Sequence, residues 1–489
     1  MSTTPDVGHR TRWDVIVVGA GAGGMSTAIF AARRGARVLV VDAAAEEGGA
    51  LHIATGQLSA AGTRLQRSKG IADTPEAHLA DIMRISRNTA DRELAWLAVS
   101  NAAATVDWLL DDLGMPVLPD HPVRGQNHEH YSQDRYYWGP DLGRSILTAV
   151  RAPFRELIDS GAITALFNTE VIGLTQEPAA TGGRVTGIIT RPTGATTANH
   201  DTHRGTHRGT NLVLATGGYN ADPALFEKMN GVLAYADASY RYATGAGHRL
   251  GVEAGGYTRN HDLYLCSFGS VLDHDAFPAP VLCRPIHWPE MRMPWEIYVN
   301  VEGRRFIAED EPSVDVREHA LLRQTDLRRY IVLDERMLRE APPMIPDWTA
   351  DDVRARAGHH PMFHVADDLR TLATSAGIDA DNLVATVAEY NACLDGDDPL
   401  GRTFRPLPIT EAPFYAIRVQ GMSITSTAGL AVDTDLRVIR PDGTPIPGLY
   451  ALGELLGSGA FMGNSFCGGM LATPALTFGR LLGTGILAW

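Results

Sequence analysis

Near the start of the chain the hydrophobic positions form an uninterrupted β-branched run, Val15-Ile16-Val17-Val18, with no alternating polar position. Such a run predicts a strand buried on both faces. Glycines begin where it stops, through Gly19, Gly21, Gly23 and Gly24, and a helical pattern then continues to Arg34. A second apolar strand, Arg37 to Val41, ends on Asp42. Strand, glycines, helix, strand and terminal acid stand in the order of a dinucleotide-binding βαβ unit. Gly19 permits a tight turn, Gly21 lets backbone approach a pyrophosphate, and Gly24 lets the helix pack on the sheet. The helix turns its free N–H groups and positive dipole end to the phosphates, and Asp42 stands where a carboxylate accepts hydrogen bonds from a ribose diol.

Further on, the pattern is helical over Pro75 to Asn88, Asp91 to Leu113 and Leu142 to Asp159. It is strand-like over Ala162 to Phe167, Glu170 to Thr175, Val185 to Thr190 and Leu212 to Ala215. Between the last two, Thr193 to Thr210 is polar and repeats Thr-His-Arg-Gly from Thr202 and again from Thr206. With no carboxylate or thiolate ligand nearby, this stretch reads as a long hairpin loop and not as a metal site. From about Asp275 to Pro408 prolines, aromatics and arginines cluster, and helices are expected over Ala366 to Ser375 and Asp379 to Leu394. The first pattern returns with a strand at Phe414 to Val419, the turn Pro447 to Glu454, and Gly468-Gly469 opening a terminal helix. The expected fold is α/β: a Rossmann-like cofactor domain built from both chain ends, residues 12–274 and 409–489, with an inserted α+β capping domain, 275–408. The reaction is then expected between the two.

Composition narrows the classes. A chain of 489 residues with 50 glycines and ordinary hydrophobicity suits a loop-rich enzyme. The net charge of −14, without a basic patch, argues against nucleic-acid binding. Cys266, Cys283, Cys393 and Cys467 show neither dithiol nor zinc spacing and suit a reducing cytoplasm. Met1 to Arg12 is polar without a leader-like apolar core, and the apolar tail from Leu471 to Trp489, broken by Pro474, reads as a buried helix and not a membrane span.

A nicotinamide cofactor needs only the N-terminal fingerprint, whereas three more glycine-rich turns occur here, at Gly48-Gly49, Thr216-Gly217-Gly218 and Gly453-Glu454. They predict a longer cofactor buried across the whole domain. Together with the small-residue loop Gly48 to Thr63, Leu214 to Gly218, Val299-Asn300 ahead of Gly303 to Phe306 and Glu309, and Gly448 to Glu454 with Phe478-Gly479-Arg480, these turns carry a resemblance. The sequence resembles the fumarate reductase and succinate dehydrogenase flavoprotein superfamily, and within it the 3-ketosteroid Δ1-dehydrogenase-like branch. The resemblance implies FAD, with Asp42 on the adenosine ribose, Gly19 to Gly24 at the pyrophosphate, Ala215, Thr216 and Gly217 on the adenosine side, and Gly453 and Glu454 near the ribityl chain. Val171 and the loop positions Gly49, Ala50, Thr55, Gly56 and Gln57 join the expected FAD contacts. Gly469, Met470 and Leu471, opening the last helix, are placed against the flavin pyrimidine ring, where helix N–H groups stabilise the charge of the reduced cofactor. Some members tether FAD to a histidine whose place is taken here by Ala50, with His52 two residues later, so FAD is expected to be non-covalent.

The resemblance also shows where this chain departs. Its relatives carry a catalytic arginine or tyrosine four residues after the glutamate that is Glu309 here, which leads to Ser313. A histidine of fumarate reductases falls in the stretch around Thr425, and a further arginine or tyrosine at Phe466. Binding a dicarboxylate calls for cations at such places. Their loss argues against simple fumarate or succinate chemistry. The expected activity is that of an FAD-dependent oxidoreductase acting on a CH–CH group beside a carbonyl, desaturating or reducing a ketone, steroid-like or secondary-metabolite substrate, with desaturation favoured. Ser313 would relay a proton, and Tyr137, Tyr298, Thr425 and Phe466 complete the candidate catalytic set. Arg284, His287 and Arg292 precede the cap strand that Tyr298 begins and are further candidates to bind a carboxylate or polarise a carbonyl. Two alternatives stand beside this: a reductase of an unsaturated carboxylic acid using Arg284, Arg292 or Arg317, and an electron-carrying flavoprotein subunit. The expected partners are a small-molecule substrate and an electron acceptor or donor, with no metal.

Overall fold

The structure, a computed structural model, describes residues 12–125, 128–178, 183–194 and 204–488. The β-branched run does become a central strand, Trp13–Val18, flanked in parallel by Val38–Val41 on one side and Gly205–Leu214 on the other. Ile163–Leu166 and Pro445–Ala451 extend the parallel sheet outwards, so the two ends of the chain meet in one layer. Val15, Ile16 and Val17 are fully buried, as are Val38 and Leu39, which is why neither strand alternates with polar residues. Register matters more than composition here. Val18 pairs with both Val41 and Leu214, and Leu214 with Ala451, so the strands end level and their following turns collect at one edge.

The first helix, Ala22–Arg33, and the terminal helix, Ala472–Gly485, are held together by glycine. A Cβ on Gly479 would stand 2.8 Å from Ser26 Cβ, and one on Gly483 would stand 2.7 Å from Phe30 Cβ. The terminal helix also leans on helix Arg92–Asp107, where Arg480 donates from Nε to Thr105 Oγ1 at 3.1 Å and from Nη2 to the Asn101 carbonyl at 3.1 Å. Phe478-Gly479-Arg480 is therefore a packing device. Pro474 sits in the first turn, where its missing N–H is no loss. No helix among the described residues is long and apolar enough to cross a membrane.

A second, antiparallel sheet is formed in the order Ile297–Val299, Arg328–Asp334, Phe414–Gln420, Phe363–Ala366. Phe414–Gln420 thus lies beyond the expected cap boundary yet pairs along its whole length with Arg328–Asp334. The apolar core under this sheet draws on residues from Tyr219 to Ala428.

The stretch expected as a loop from Thr193 to Thr210 is corrected: the strand Gly205–Leu214 begins within it, and Thr206, His207 and Arg208 pair with Ile189, Ile188 and Gly187 of Arg184–Pro192. Backbone pairing to a neighbouring strand, not an apolar run, holds this segment extended. Thr202 and His203 lie outside the described residues, as do Met1 to Thr11 of the polar N-terminus.

Substituting Gly479→Val overpacks the contact between first and terminal helices. The expected cost is about 1–3 kcal/mol, read as a lower urea midpoint with unchanged slope; an unchanged midpoint would show that the contact is not tight.

Candidate active site

The turns that follow the level strand ends open into one cavity of about 1200 Å³. That exceeds the roughly 300–1,000 Å³ usual for a small-molecule site. It has room for an extended cofactor and a second molecule. Of the cofactor positions expected from sequence, Gly19, Gly21, Gly23, Asp42, Gly49, Ala50, Thr55, Gly56, Gln57, Val171, Ala215, Thr216, Gly217, Gly453, Glu454, Gly469 and Leu471 all line it. Two do not. Gly24 packs the helix against the turn, its Cβ direction blocked by the Gly19 backbone, and Met470 turns into the core at 1% exposure.

FAD fits this wall. A Cβ built on Gly21 meets nothing within 4 Å, so only the cavity lies in front of it, and Thr216 Oγ1 is buried without a partner. Asp42 is held rigidly: one carboxylate oxygen accepts from Ala20 N at 2.6 Å and the other from Ala44 N at 2.7 Å. Each oxygen keeps a second lone pair for a diol. Burial pushes this carboxyl up, against the two N–H bonds. Glu454 accepts from Ser426 N at 2.9 Å, and burial raises its carboxyl too. Leu471 and Ala472 bring the N-terminal end of the terminal helix to the wall, a source of N–H groups and positive potential. Ala50 faces the cavity, while His52 is outside the lining, its Nε2 3.0 Å from the Glu47 carbonyl.

The proposed catalytic residues divide. Thr425 and Phe466 line the cavity, whereas Ser313, Tyr137 and Tyr298 do not. The Ser313 hydroxyl donates to Glu129 at 3.0 Å and accepts from Val316 N, capping helix Val314–Leu322. Tyr137 shares a 2.6 Å hydrogen bond with Thr63, and Tyr298 is 1% exposed under the Arg329 guanidinium. Of the further candidates, Arg284 lines the cavity, but Arg292 is closed off by a two-pronged pair with Glu296 at 2.9 Å per contact. His287 is buried beside Arg329, outside the lining. Arg317 is buried, and neither Nη1 nor Nη2 has a partner.

Among the ionisable members of the wall that sequence reasoning missed are His128 and Glu318. His128 stacks on Phe466 with ring centroids 4.1 Å apart, and burial lowers it to about 4, so it is neutral at pH 7. Glu318 is 7% exposed, and burial pushes its carboxyl up to about 8, with Arg317 opposing and Asp315 and Glu129 reinforcing the shift. The available signal for Glu318 was the cluster of charges Asp315, Arg317 and Glu318 shortly after the aligned position Ser313. The same cavity is also lined by the apolar side chains of Leu263, Leu265, Trp288, Met422 and Ile424.

Residues 14–471 match the family described as FAD binding domain. A probable fumarate reductase of Shewanella frigidimarina is 28% identical over 478 residues, covering 96% of this chain and 74% of that protein. The 4-oxocyclohexanecarboxylate 2-dehydrogenase of Sinomonas cyclohexanicum is 27% identical over 564 residues, covering 97% and 92%. In fold, the chain is similar to the 3-ketosteroid delta1-dehydrogenase of Sterolibacterium denitrificans, with a TM-score of 0.74 at 22% identity over 98% of this chain and 99% of that one. It is likewise similar to a flavocytochrome c3 fumarate reductase in the open conformation, with a TM-score of 0.71 at 26% identity over 98% of this chain and 79% of that one. The cofactor is FAD.

With Ala50 at the wall and His52 turned to the backbone, all FAD is expected to leave the protein on acid precipitation and appear in the supernatant. A yellow pellet, or a fluorescent band on a denaturing gel, would show a covalent tether.

Proposed function

We propose that this chain, which belongs to the FAD binding domain family and is an FAD-dependent oxidoreductase, interconverts a saturated and an unsaturated C–C bond beside a carbonyl in a largely apolar ketone. The observation that carries this reading is the wall formed by Leu263, Leu265, Trp288, Met422, Ile424 and Phe466, in the same cavity as the terminal helix. Such a surface favours a hydrocarbon ring and excludes water from it. Bound FAD supplies or accepts the hydride. The chain's own part is to hold the ketone, to present the N-terminal end of Ala472–Gly485 where negative charge develops, and to exchange a proton. The names of the relatives, for fumarate reduction and for dehydrogenation of a ring ketone, agree with C–C chemistry.

A second reading, reduction of an unsaturated carboxylic acid, draws support from Arg317, whose terminal nitrogens are buried without partners and would suit a carboxylate. Arg284 offers a cation in the cavity wall itself, whereas Arg317 lies outside the lining, one residue before Glu318. Arg292 is already neutralised by Glu296.

Anaerobic stopped-flow measurements separate the two. Saturated cyclic ketones such as cyclohexanone are expected to bleach the flavin at pH 9, and cyclohex-2-en-1-one to reoxidise the reduced enzyme at pH 7. Reoxidation by acrylate or fumarate alone, lost in Arg317→Ala, would replace this reading by the second.

A further inference from the structure

Helix Val314–Leu322 carries into the interior a carboxyl that FAD binding leaves unexplained. Glu318 lies buried in the cavity wall, and no described residue hydrogen-bonds its carboxyl. Placing such a group in an apolar wall is costly unless it stays neutral or meets a ligand. It therefore points to chemistry more than to stability. Cys266 lines the same cavity from another segment, but burial pushes its thiol up and it is not an acid at neutral pH. The Ser313 hydroxyl is already engaged by Glu129 and Val316. Of the carboxyls that line the cavity, Asp42, Glu170 and Glu454 are hydrogen-bonded and Glu253 is exposed, which leaves Glu318 as the buried one without a hydrogen bond among the described residues.

We propose that Glu318 is the catalytic residue that passes a proton to and from the carbon beside the substrate carbonyl, an inference that rests on the function proposed above. In the reductive direction, hydride from reduced FAD forms the C–H bond at the carbon further from the carbonyl. The C=C π bond breaks, and the Glu318 carboxylic acid gives its proton to the nearer carbon, becoming a carboxylate that solvent reprotonates. Desaturation is the reverse: the carboxylate takes the proton that the carbonyl acidifies while hydride leaves the neighbouring carbon to oxidised FAD. The charged groups around Glu318 are Asp315 and Arg317 on its own helix and Glu129 from the loop that caps that helix; the acidic pair favours the protonated form and Arg317 the ionised one. Since the carboxyl is protonated below about pH 8 and ionised above it, reduction is expected to slow, and desaturation to quicken, as pH rises through 8.

The test uses FAD-loaded protein with cyclohex-2-en-1-one and cyclohexanone as probes. In Glu318→Gln, reoxidation of the reduced enzyme by the enone is expected to fall about a hundredfold or more, with loss of the pH 8 inflection and partial recovery in Glu318→Asp. Reduction by dithionite and the visible FAD spectrum should be unchanged, which shows an intact fold. Independently of turnover, infrared difference spectra of the wild type should show a protonated-carboxyl C=O stretch that disappears around pH 8 and is missing in Glu318→Gln. A wild-type rate in Glu318→Gln, or a Glu318 carboxyl already ionised at pH 6, overturns the inference alone. A wild type inert to both probes instead overturns the ketone reading on which it rests.

Discussion

The close approach of the first and terminal helices is the constraint on which the site depends. Gly23 has no room for a side chain, since a Cβ there would stand 2.9 Å from the Ala475 carbonyl, and Gly479 and Gly483 are similarly confined against Ser26 and Phe30. Backbone therefore packs directly on backbone, a helix–helix contact separate from that of Gly24, the third glycine of the fingerprint, against Gly19. The consequence reaches the chemistry: two helix N-termini from opposite ends of the chain point at one cavity, one beside Gly21 and one at Leu471 and Ala472. Arg480, gripping Thr105 and the Asn101 carbonyl, fixes the second helix along its axis.

The cavity holds two kinds of electrostatics. Around Gly19, Gly21 and Asp42 the groups are fixed dipoles and one tightly hydrogen-bonded carboxylate, suited to an anionic and hydroxylated ligand. Elsewhere the lining includes Phe466, Trp288 and Met422, and two of its ionisable members, His128 against Phe466 and Glu318, are pushed by burial toward their neutral forms. The helix Val314–Leu322 links this region to the cofactor domain, through Ser313 to Glu129 and Asp315 to Arg87 at 2.5 Å. A cap held this way keeps Glu318 in the wall while leaving its carboxyl uncommitted.

The cofactor side was legible because backbone geometry dictates its residues. Gly19, Gly49 and Gly217 adopt positive φ, and Asp42 follows a strand whose end is set by register with its neighbours. The substrate side was not, because side-chain direction there depends on how the cap docks. Ser313 occupies the aligned position, yet as a helix cap its hydroxyl is drawn to Val316 N and Glu129. Tyr137 is pulled to Thr63, and Tyr298 is covered by Arg329. The strand at Gly205–Thr210 escaped notice for a related reason: its polar residues carry no apolar signal, and only pairing with Arg184–Pro192 reveals it.

A crystal structure of the FAD-loaded protein with cyclohex-2-en-1-one bound tests the central claim most directly. The account predicts the ring against Phe466 and Trp288, with the carbon beside the carbonyl within about 3.5 Å of a Glu318 carboxyl oxygen. A ring bound elsewhere, or a Glu318 carboxylate turned away to pair with Arg317, would contradict it.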